Sequence, residues 1–429
     1  MPSVSLHTLG CRLNQAETAI IAENLKKQGY KIVPYGQPSD LTVINTCTVT
    51  EQADSKCRQA VRQSIRKNPD TFVAVVGCYA QMAVDVIKNI DGVDLIIGNE
   101  HKLKLYDYLN GLNKNSQPLI VHSSKISREA FTIESVGLYD THTRANLKIQ
   151  DGCNFVCSFC IVAAARGPAR SRKFKDIIIE AHKLVDMGFK EIVLTGVNIG
   201  TYSYEGKYFL DILAEMEKID GLQRIRISSI EPTTVDKNLI DFMAGSSKIC
   251  RHLHIPLQSG DNEILKAMRR KHTAAEFSDI INYAVEKIEN IGIGTDVMVG
   301  FPGEGHDKFV ITKKLLADLP ITYFHVFSYS DRKGTAAYNY KPKVQRHEKK
   351  LRNKIMIELG KRKKRAFYED SIGARIDVLF EEADENGFWS GFSDNYMRVK
   401  VKSEQPLKNS IRTVRLVSIE GEELLGELL

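Results

Sequence analysis

The sequence predicts an α/β protein in three parts: a Rossmann-like parallel-sheet domain over 1–122, a partial (β/α)6 barrel over 138–370, and a small β-barrel over 371–429. Three observations carry this. Three short β-branched runs near the start are each followed by a stretch with helical spacing. Six more strand-like runs then alternate with segments long enough for one helix each. The remainder has short alternating runs separated by turn residues.

Taken in order, Ser3–Leu9, Leu41–Asn45 and Phe72–Val76 read as buried strands, and they run into Gly10-Cys11, Thr46-Cys47 and Gly77-Cys78. Ala19, Ile20, Ile21 and Leu25 mark the helix after the first strand, with Gly29 as its stop. A parallel sheet aligns the carboxyl ends of its strands along one edge, so Cys11, Cys47 and Cys78 are expected on one rim. From about Gly111 to Asp140 the chain turns polar and loses periodicity, which predicts a linker. The barrel strands are Ala145–Gln150, Glu191–Thr195, Arg224–Ser228, His252–Pro256, Gly292–Val299 and Tyr323–Ser328, with reactive residues expected on the loops after them.

Between Lys341 and Arg365 twelve Lys or Arg face two Glu, with apolar residues at helical intervals, so a basic amphipathic helix is expected. Arg375–Phe380, Tyr396–Val401 and Arg412–Val417 are strands of a terminal barrel of about five strands. From Ser371 onward seven basic residues meet eleven acidic ones. Placing Glu422, Glu423 and Glu427 in a tail leaves a basic face around Arg398, Lys400 and Lys402. Phe388, Trp389 and Tyr396 read as core aromatics ahead of base-stacking ones.

Over the 429 residues, 60 Lys or Arg against 53 Asp or Glu permit a polyanionic partner without demanding one. No apolar run spans a bilayer and the first residues form no leader, so the expectation is cytoplasmic, with no membrane partner. Eight cysteines in a reducing compartment then point to metal ligation or redox chemistry. Cys57 and Cys250 fit no motif and read as core thiols.

Cys153, Cys157 and Cys160 have the spacing C-x3-C-x2-C just after the first barrel strand. Three thiolates on one tight loop can hold three irons of a four-iron cluster and leave the fourth open to an outside ligand. S-adenosylmethionine (SAM) can chelate such an iron, and one electron then splits it into methionine and a carbon radical. The competing readings are accidental cysteines and structural zinc, which prefers four ligands, usually as paired C-x2-C units.

This loop resembles that of the radical SAM superfamily. The resemblance implies that Phe159 covers the adenine and that Thr195, Gly196 and Asn198, after the second strand, meet the SAM amino group. It further implies ribose and carboxylate contacts from Ser229, Glu231 and Gln258, and an adenine-side turn at Val299-Gly300. Gly10-Cys11-Arg12-Leu13-Asn14-Gln15, Asn45-Thr46-Cys47-Thr48-Val49-Thr50 and Gly77-Cys78-Tyr79-Ala80-Gln81 resemble the methylthiotransferase signature, whose cysteines bind an auxiliary [4Fe-4S] cluster. The resemblance covers nearly the whole chain, with a TRAM-like terminal barrel, and is nearest the branch acting on N6-threonylcarbamoyladenosine in tRNA. It implies two [4Fe-4S] clusters and two uses of SAM: one to methylate sulfur, another to activate adenine C2 for attachment of the methylthio unit. The string from Phe327 to Thr335 also matches the family and is expected to shape the substrate mouth. The family's usual proline is replaced by Ala163, which predicts a looser segment after the cluster loop.

The expected partners are a tRNA anticodon loop, whose unpaired bases can be splayed out, and an electron donor such as flavodoxin or ferredoxin; the chain is expected to be a monomer. Phosphate contacts are expected from Arg58, Arg62 and Arg66 on one helical face, from Lys349, Lys350, Arg362 and Lys363 on the basic helix, and from Arg398 and Lys400. Alternatives are isopentenyladenosine or a ribosomal-protein aspartate as substrate, or a metal-stapled RNA-binding protein without turnover.

Overall fold

A computed structural model describes residues 1–114, 117–133, 136–137 and 143–429. Parts of the expected linker, residues 115–116, 134–135 and 138–140, lie outside these, as does the expected start of the second domain at 138.

The amino-terminal sheet is parallel, ordered Lys31–Val33, Ser3–Thr8, Leu41–Thr46, Phe72–Gly77, Leu95–Ile97, Leu119–Val121. Its two central strands are buried along their whole length, as a sheet covered on both faces requires. Val43, Ala74 and Val76 pack with Ile21 and Leu25 of helix Arg12–Lys27, whereas Ile44, Val73 and Val75 pack with Cys57 and Val61 of helix Glu51–Lys67. The outer strands are corrections to the sequence reading. Lys31–Val33 was not foreseen, and Leu119–Val121 falls inside the expected linker yet pairs with Leu95–Ile97. Three-residue edge strands are too short to show a period, and Leu119 and Ile120 are exposed.

The six expected barrel strands are present in two three-stranded sheets. Arg144–Lys148, Glu191–Thr195 and Arg224–Ile227 form one; His252–His254, Gly292–Val299 and Tyr323–Ser328 form the other. Isolated parallel bridges Ile225–Ile249 and Ser229–His254 join them into an open barrel, an α/β architecture as the sequence predicts. Helix Arg12–Lys27 packs beside the open edge at Arg144–Lys148, and its Ala19 belongs to the barrel's own core.

The basic helix spans Arg346–Glu369 and lies along Tyr323–Ser328. Gly360 faces the Phe324 ring of that strand. The terminal barrel is closed, in the order Arg375–Ala383, Phe388–Ser393, Arg398–Lys402, Glu423–Leu428, Ile411–Glu420. The expected acidic tail is therefore its closing strand, inserted between two others so that no edge remains.

This terminal barrel caps the floor of the larger one, where the barrel strands begin. Arg224 donates to the carbonyls of Asp377 and Phe392, at 2.7 and 3.0 Å. Arg226 donates to the carbonyls of Ser393 and Asp394, at 3.0 and 2.9 Å. Gly292 is needed here, since a Cβ would lie 2.1 Å from the Asn395 carbonyl oxygen. Beneath it Arg226 and Glu191 form a buried pair at 2.6 Å; burial opposes ionisation of Glu191, but Arg226, with Arg144 and Arg224, holds its carboxyl down to about 2.

Candidate active site

The three amino-terminal cysteines stand at successive strand ends, as expected of a parallel sheet. Gly10, with φ +110°, turns the chain so closely over Cys47 that a Cβ would lie 2.7 Å from the Cys47 Cβ. Gly77, with φ +99°, does the same before Cys78, where a Cβ would meet the Asn45 side-chain oxygen at 2.5 Å. Cys47 lies within electrostatic reach of both Cys11 and Cys78, and burial pushes its thiol up to about 11. The Asn99 amide donates to Cys78 Sγ at 3.5 Å, and Cys57, a buried core thiol, donates to the Cys47 carbonyl at 3.2 Å.

On the barrel rim, backbone amides of Phe155 and Val162 donate to the sulfurs of Cys153 and Cys160, at 3.3 and 3.4 Å. Arg270 donates to Cys157 Sγ at 3.5 Å and pairs with Glu231. Burial pushes the Cys160 thiol up to about 12 and raises Cys153 as well, so a cation must displace their protons before these sulfurs carry charge. Donors aimed at three sulfurs are the surroundings an anionic thiolate set needs.

Asn198 stands beside Cys153, 2% exposed, and neither of its amide atoms has a hydrogen bond of ordinary geometry among the described residues. Such an orphan fits a polar ligand at the open corner of the loop. The donor set and this orphan amide together suit a four-iron cluster with SAM on its free iron. Asn198→Leu is accordingly expected to weaken SAM binding about tenfold, measured by equilibrium dialysis.

The other expected SAM residues divide. Phe159 meets Phe301 edge to face at 6.5 Å. Thr195 is buried, and at Gly196 a Cβ would lie 2.9 Å from the Gln150 carbonyl oxygen. Gln150, not foreseen from the sequence, shapes this turn by accepting from the amides of Val197 and Asn198. Ser229 is exposed, while Glu231 is tied to Arg270 and lies within electrostatic reach of Cys153 and Cys160. Gln258 is half-buried with φ +72°. The Val299 side chain belongs to the outer core, so only its backbone is available at the rim, and Gly300 turns there with φ +76°.

Two latches join the cysteine rim to the barrel. In the first, Glu17 is fully buried and binds Lys102, Lys148 at 2.8 Å and Arg166 at 2.9 Å. Asp151 shares Lys148 and Arg166, at 2.7 and 2.9 Å. The segment after the cluster loop is consequently not loose, contrary to the reading of Ala163. Val162–Arg166 is one helical turn, its Ala165 carbonyl accepts from Asn99 at 2.7 Å, and Arg166 is locked in the buried cluster. In the second latch, Arg332 from the string after the last barrel strand reaches Asp54 at 2.6 Å and Thr48 at 2.7 Å, beside Cys47.

The basic candidates also divide. Arg62, Arg66, Lys350 and Arg362 are exposed. Arg58 donates to the Tyr79 hydroxyl, Lys349 turns inward to the Tyr329 carbonyl, and Lys363 to those of Ala317 and Leu319. Two of the three residues of the expected basic face of the terminal barrel are neutralised: Arg398 pairs with Glu381 and Glu423, and Lys400 with Glu420, while Lys402 is exposed. The pairing arises because Glu423 stands in a strand and not in a tail.

An open α/β barrel with three cysteines on the loop after its first strand defines a radical SAM protein. The family description "Radical SAM superfamily" matches residues 147–316, and "Uncharacterized protein family UPF0004" matches residues 3–98. The chain is 38% identical to "Threonylcarbamoyladenosine tRNA methylthiotransferase MtaB" of Bacillus subtilis (strain 168), over 97% of this chain and 94% of that one. It is 32% identical to "tRNA-2-methylthio-N(6)-dimethylallyladenosine synthase" of Clostridium tetani (strain Massachusetts / E88), over 98% of this chain and 96% of that one. In fold it is similar to the radical SAM methyltransferase TsrM from Kitasatospora setae, with TM-score 0.58 and 13% identity over 90% of this chain and 79% of that one. The chain belongs to the MtaB-type family of radical SAM methylthiotransferases. Membership brings SAM and a [4Fe-4S] cluster with it. No helix among the described residues is long and apolar enough to cross a membrane.

Proposed function

We propose that this enzyme converts N6-threonylcarbamoyladenosine next to a tRNA anticodon to its 2-methylthio derivative. The observation that carries the reading is full-length similarity to the Bacillus subtilis enzyme of that name, in a chain whose two cysteine triads are clamped toward each other by the latches. Labour divides among 1–122, where Cys11, Cys47 and Cys78 hold an auxiliary [4Fe-4S] cluster, 138–370, where Cys153, Cys157 and Cys160 hold the SAM-binding one, and 371–429. When bound, SAM and the two clusters supply the carbon radical and the methylated sulfur that an aromatic C–H bond requires. The chain's own part is to place them. Asn198 and the Arg270–Glu231 pair orient SAM, Phe159 and Phe301 wall its adenine, and the floor formed where Arg224 and Arg226 bind the terminal barrel keeps water from below.

We further propose a monomer in the cytoplasm, reduced by flavodoxin or ferredoxin. Arg62, Arg66, Lys350 and Arg362 are its phosphate contacts. A Lys350→Ala/Arg362→Ala double variant is expected to lower the slope of log affinity against log salt by about 2, measured by filter binding to tRNA.

The test is incubation of the reconstituted enzyme with SAM, reductant and tRNA, followed by mass spectrometry of the nucleosides. The threonylcarbamoyl nucleoside should gain one methylthio group. The Clostridium tetani relative supports a second reading, in which the gain falls on the dimethylallyl nucleoside. No gain on either would overturn both.

A further inference from the structure

We propose that His254, Asp296 and His325 form a site for one divalent first-row metal ion in the barrel lumen, whose open coordination positions bind the carboxylate of the substrate's side group. The three residues come from three neighbouring strands, and the register sets Asp296 directly against His325 and His254 against Gly294. Their strand neighbours Leu253, Ile255, Val297 and Phe324 pack into the outer core, so the pleat turns the three polar side chains inward.

His254 Nε2 lies 3.1 Å and His325 Nδ1 3.7 Å from the same oxygen of Asp296, and all three ligand atoms lie within 4.8 Å of one another. Ligands held about 2.1 Å from one ion stand roughly 3 Å apart when adjacent, so small side-chain rotations close the set. Two imidazoles and one carboxylate on one face suit Fe2+, Mn2+ or a similar ion and leave further positions open.

The surroundings orient His254 as a metal ligand. Its Nδ1 lies 3.4 Å from the Tyr323 hydroxyl, which stands 2.8 Å from Nε2 of His252. With Nδ1 turned to Tyr323, Nε2 is the His254 nitrogen that faces the Asp296 carboxylate and can meet a shared cation. Gly294 makes room for this arrangement, since a Cβ would lie 2.7 Å from His254 Nδ1 and 2.3 Å from Tyr323 Cζ. Among the described residues Asp296 has no Lys or Arg partner, only the two histidines. The His325 side chain is 59% exposed, which gives an ion a way in.

The role assigned to the ion rests on the proposed function. A threonylcarbamoyl group carries a carboxylate, a hard oxygen ligand; a dimethylallyl group carries none. The lumen would then read the side group while SAM on the rim addresses the ring.

The test titrates Mn2+ into the anaerobic protein carrying its clusters, after removal of loosely held metal, and reads free Mn2+ by electron paramagnetic resonance. One ion per chain is expected to bind, at least tenfold more weakly in Asp296→Asn and His325→Gln and about tenfold more weakly in Tyr323→Phe, with iron content and circular dichroism unchanged. No saturable binding, or one isotherm shared by the parent and Asp296→Asn, overturns the site. With the site established, Mn2+ should strengthen binding of an anticodon-loop oligonucleotide bearing threonylcarbamoyladenosine and not of one bearing adenosine. An equal effect on both overturns the carboxylate assignment and leaves the nucleoside assay to judge the reaction separately.

Discussion

Replacing Cys157 by alanine is expected to abolish reductive formation of 5′-deoxyadenosine from SAM, a loss of at least a thousandfold, while halving bound iron from about eight to about four atoms per chain. The asymmetry follows from the placement of the cysteines. Cys157 has Arg270 at 3.5 Å and belongs to the barrel loop, whereas Cys11, Cys47 and Cys78 stand on a separate sheet. Two cysteines cannot hold a cluster with one corner reserved for SAM, but the other triad is untouched. Cys47→Ala should behave in the opposite sense, losing a similar share of iron, keeping deoxyadenosine formation and ending methylthiolation. Chromatography of the cleavage products beside iron and sulfide analysis separates the two variants. Deoxyadenosine at the parent's rate from Cys157→Ala would sink the assignment of that loop.

Glu17→Ala is expected to cost about 3–5 kcal/mol of stability, measured by urea unfolding, because it strands Lys102, Lys148 and Arg166 in a site closed to water. The side chains of Glu17, Lys102, Lys148 and Arg166 are between 0% and 4% exposed, so solvent cannot replace the lost partner. Among the described residues only the Asp151 carboxylate remains in the cluster, paired with Lys148 and Arg166. Joint replacement of Glu17 and Lys102 by methionine should be less damaging than either single change, because fewer charges remain unmatched. The pH dependence has a definite sign. Burial opposes ionisation of Glu17, yet Arg166, Lys102 and Lys148 hold its carboxyl well below its ordinary value. Its contribution is thus complete above the unfolded carboxyl's range near 4.5 and is lost as pH falls toward the lowered folded value. A stability curve that is flat through this acidic range would contradict the arrangement.

Both experiments touch features of different legibility. The cluster loop was readable because its three cysteines are close in sequence and follow a strand, so local spacing alone brings the sulfurs together. The other triad was readable one step further, since parallel strands share a carboxyl edge wherever they fall in the chain. Glu17 and Arg166 gave no comparable signal. They are 149 residues apart, and a charge in a helix reads as solvated until a second domain covers it. Arg270 was missed for the same reason, and Arg332, expected to shape the substrate mouth, gave no sign of its pairing with Asp54: each acts on a sulfur loop or acid that only folding brings near.

The terminal barrel shows the limit from the other side. Its alternating runs predicted strands and a closed sheet, and closure is what the pleat and the edge problem favour. The destination of its charges was not predictable, because whether Arg398 and Lys400 face a polyanion or Glu423 and Glu420 depends on which strands become neighbours. By itself, then, the sequence determined the α/β class, the six strands of the larger barrel, and the two groups of three cysteines, all of which follow from local periodicity and spacing. Only the tertiary structure decided which charges neutralise one another, which lysines turn inward, and how the two sulfur groups are held together. Electrostatic energy depends on distance and on the exclusion of water, and neither exists along an unfolded chain.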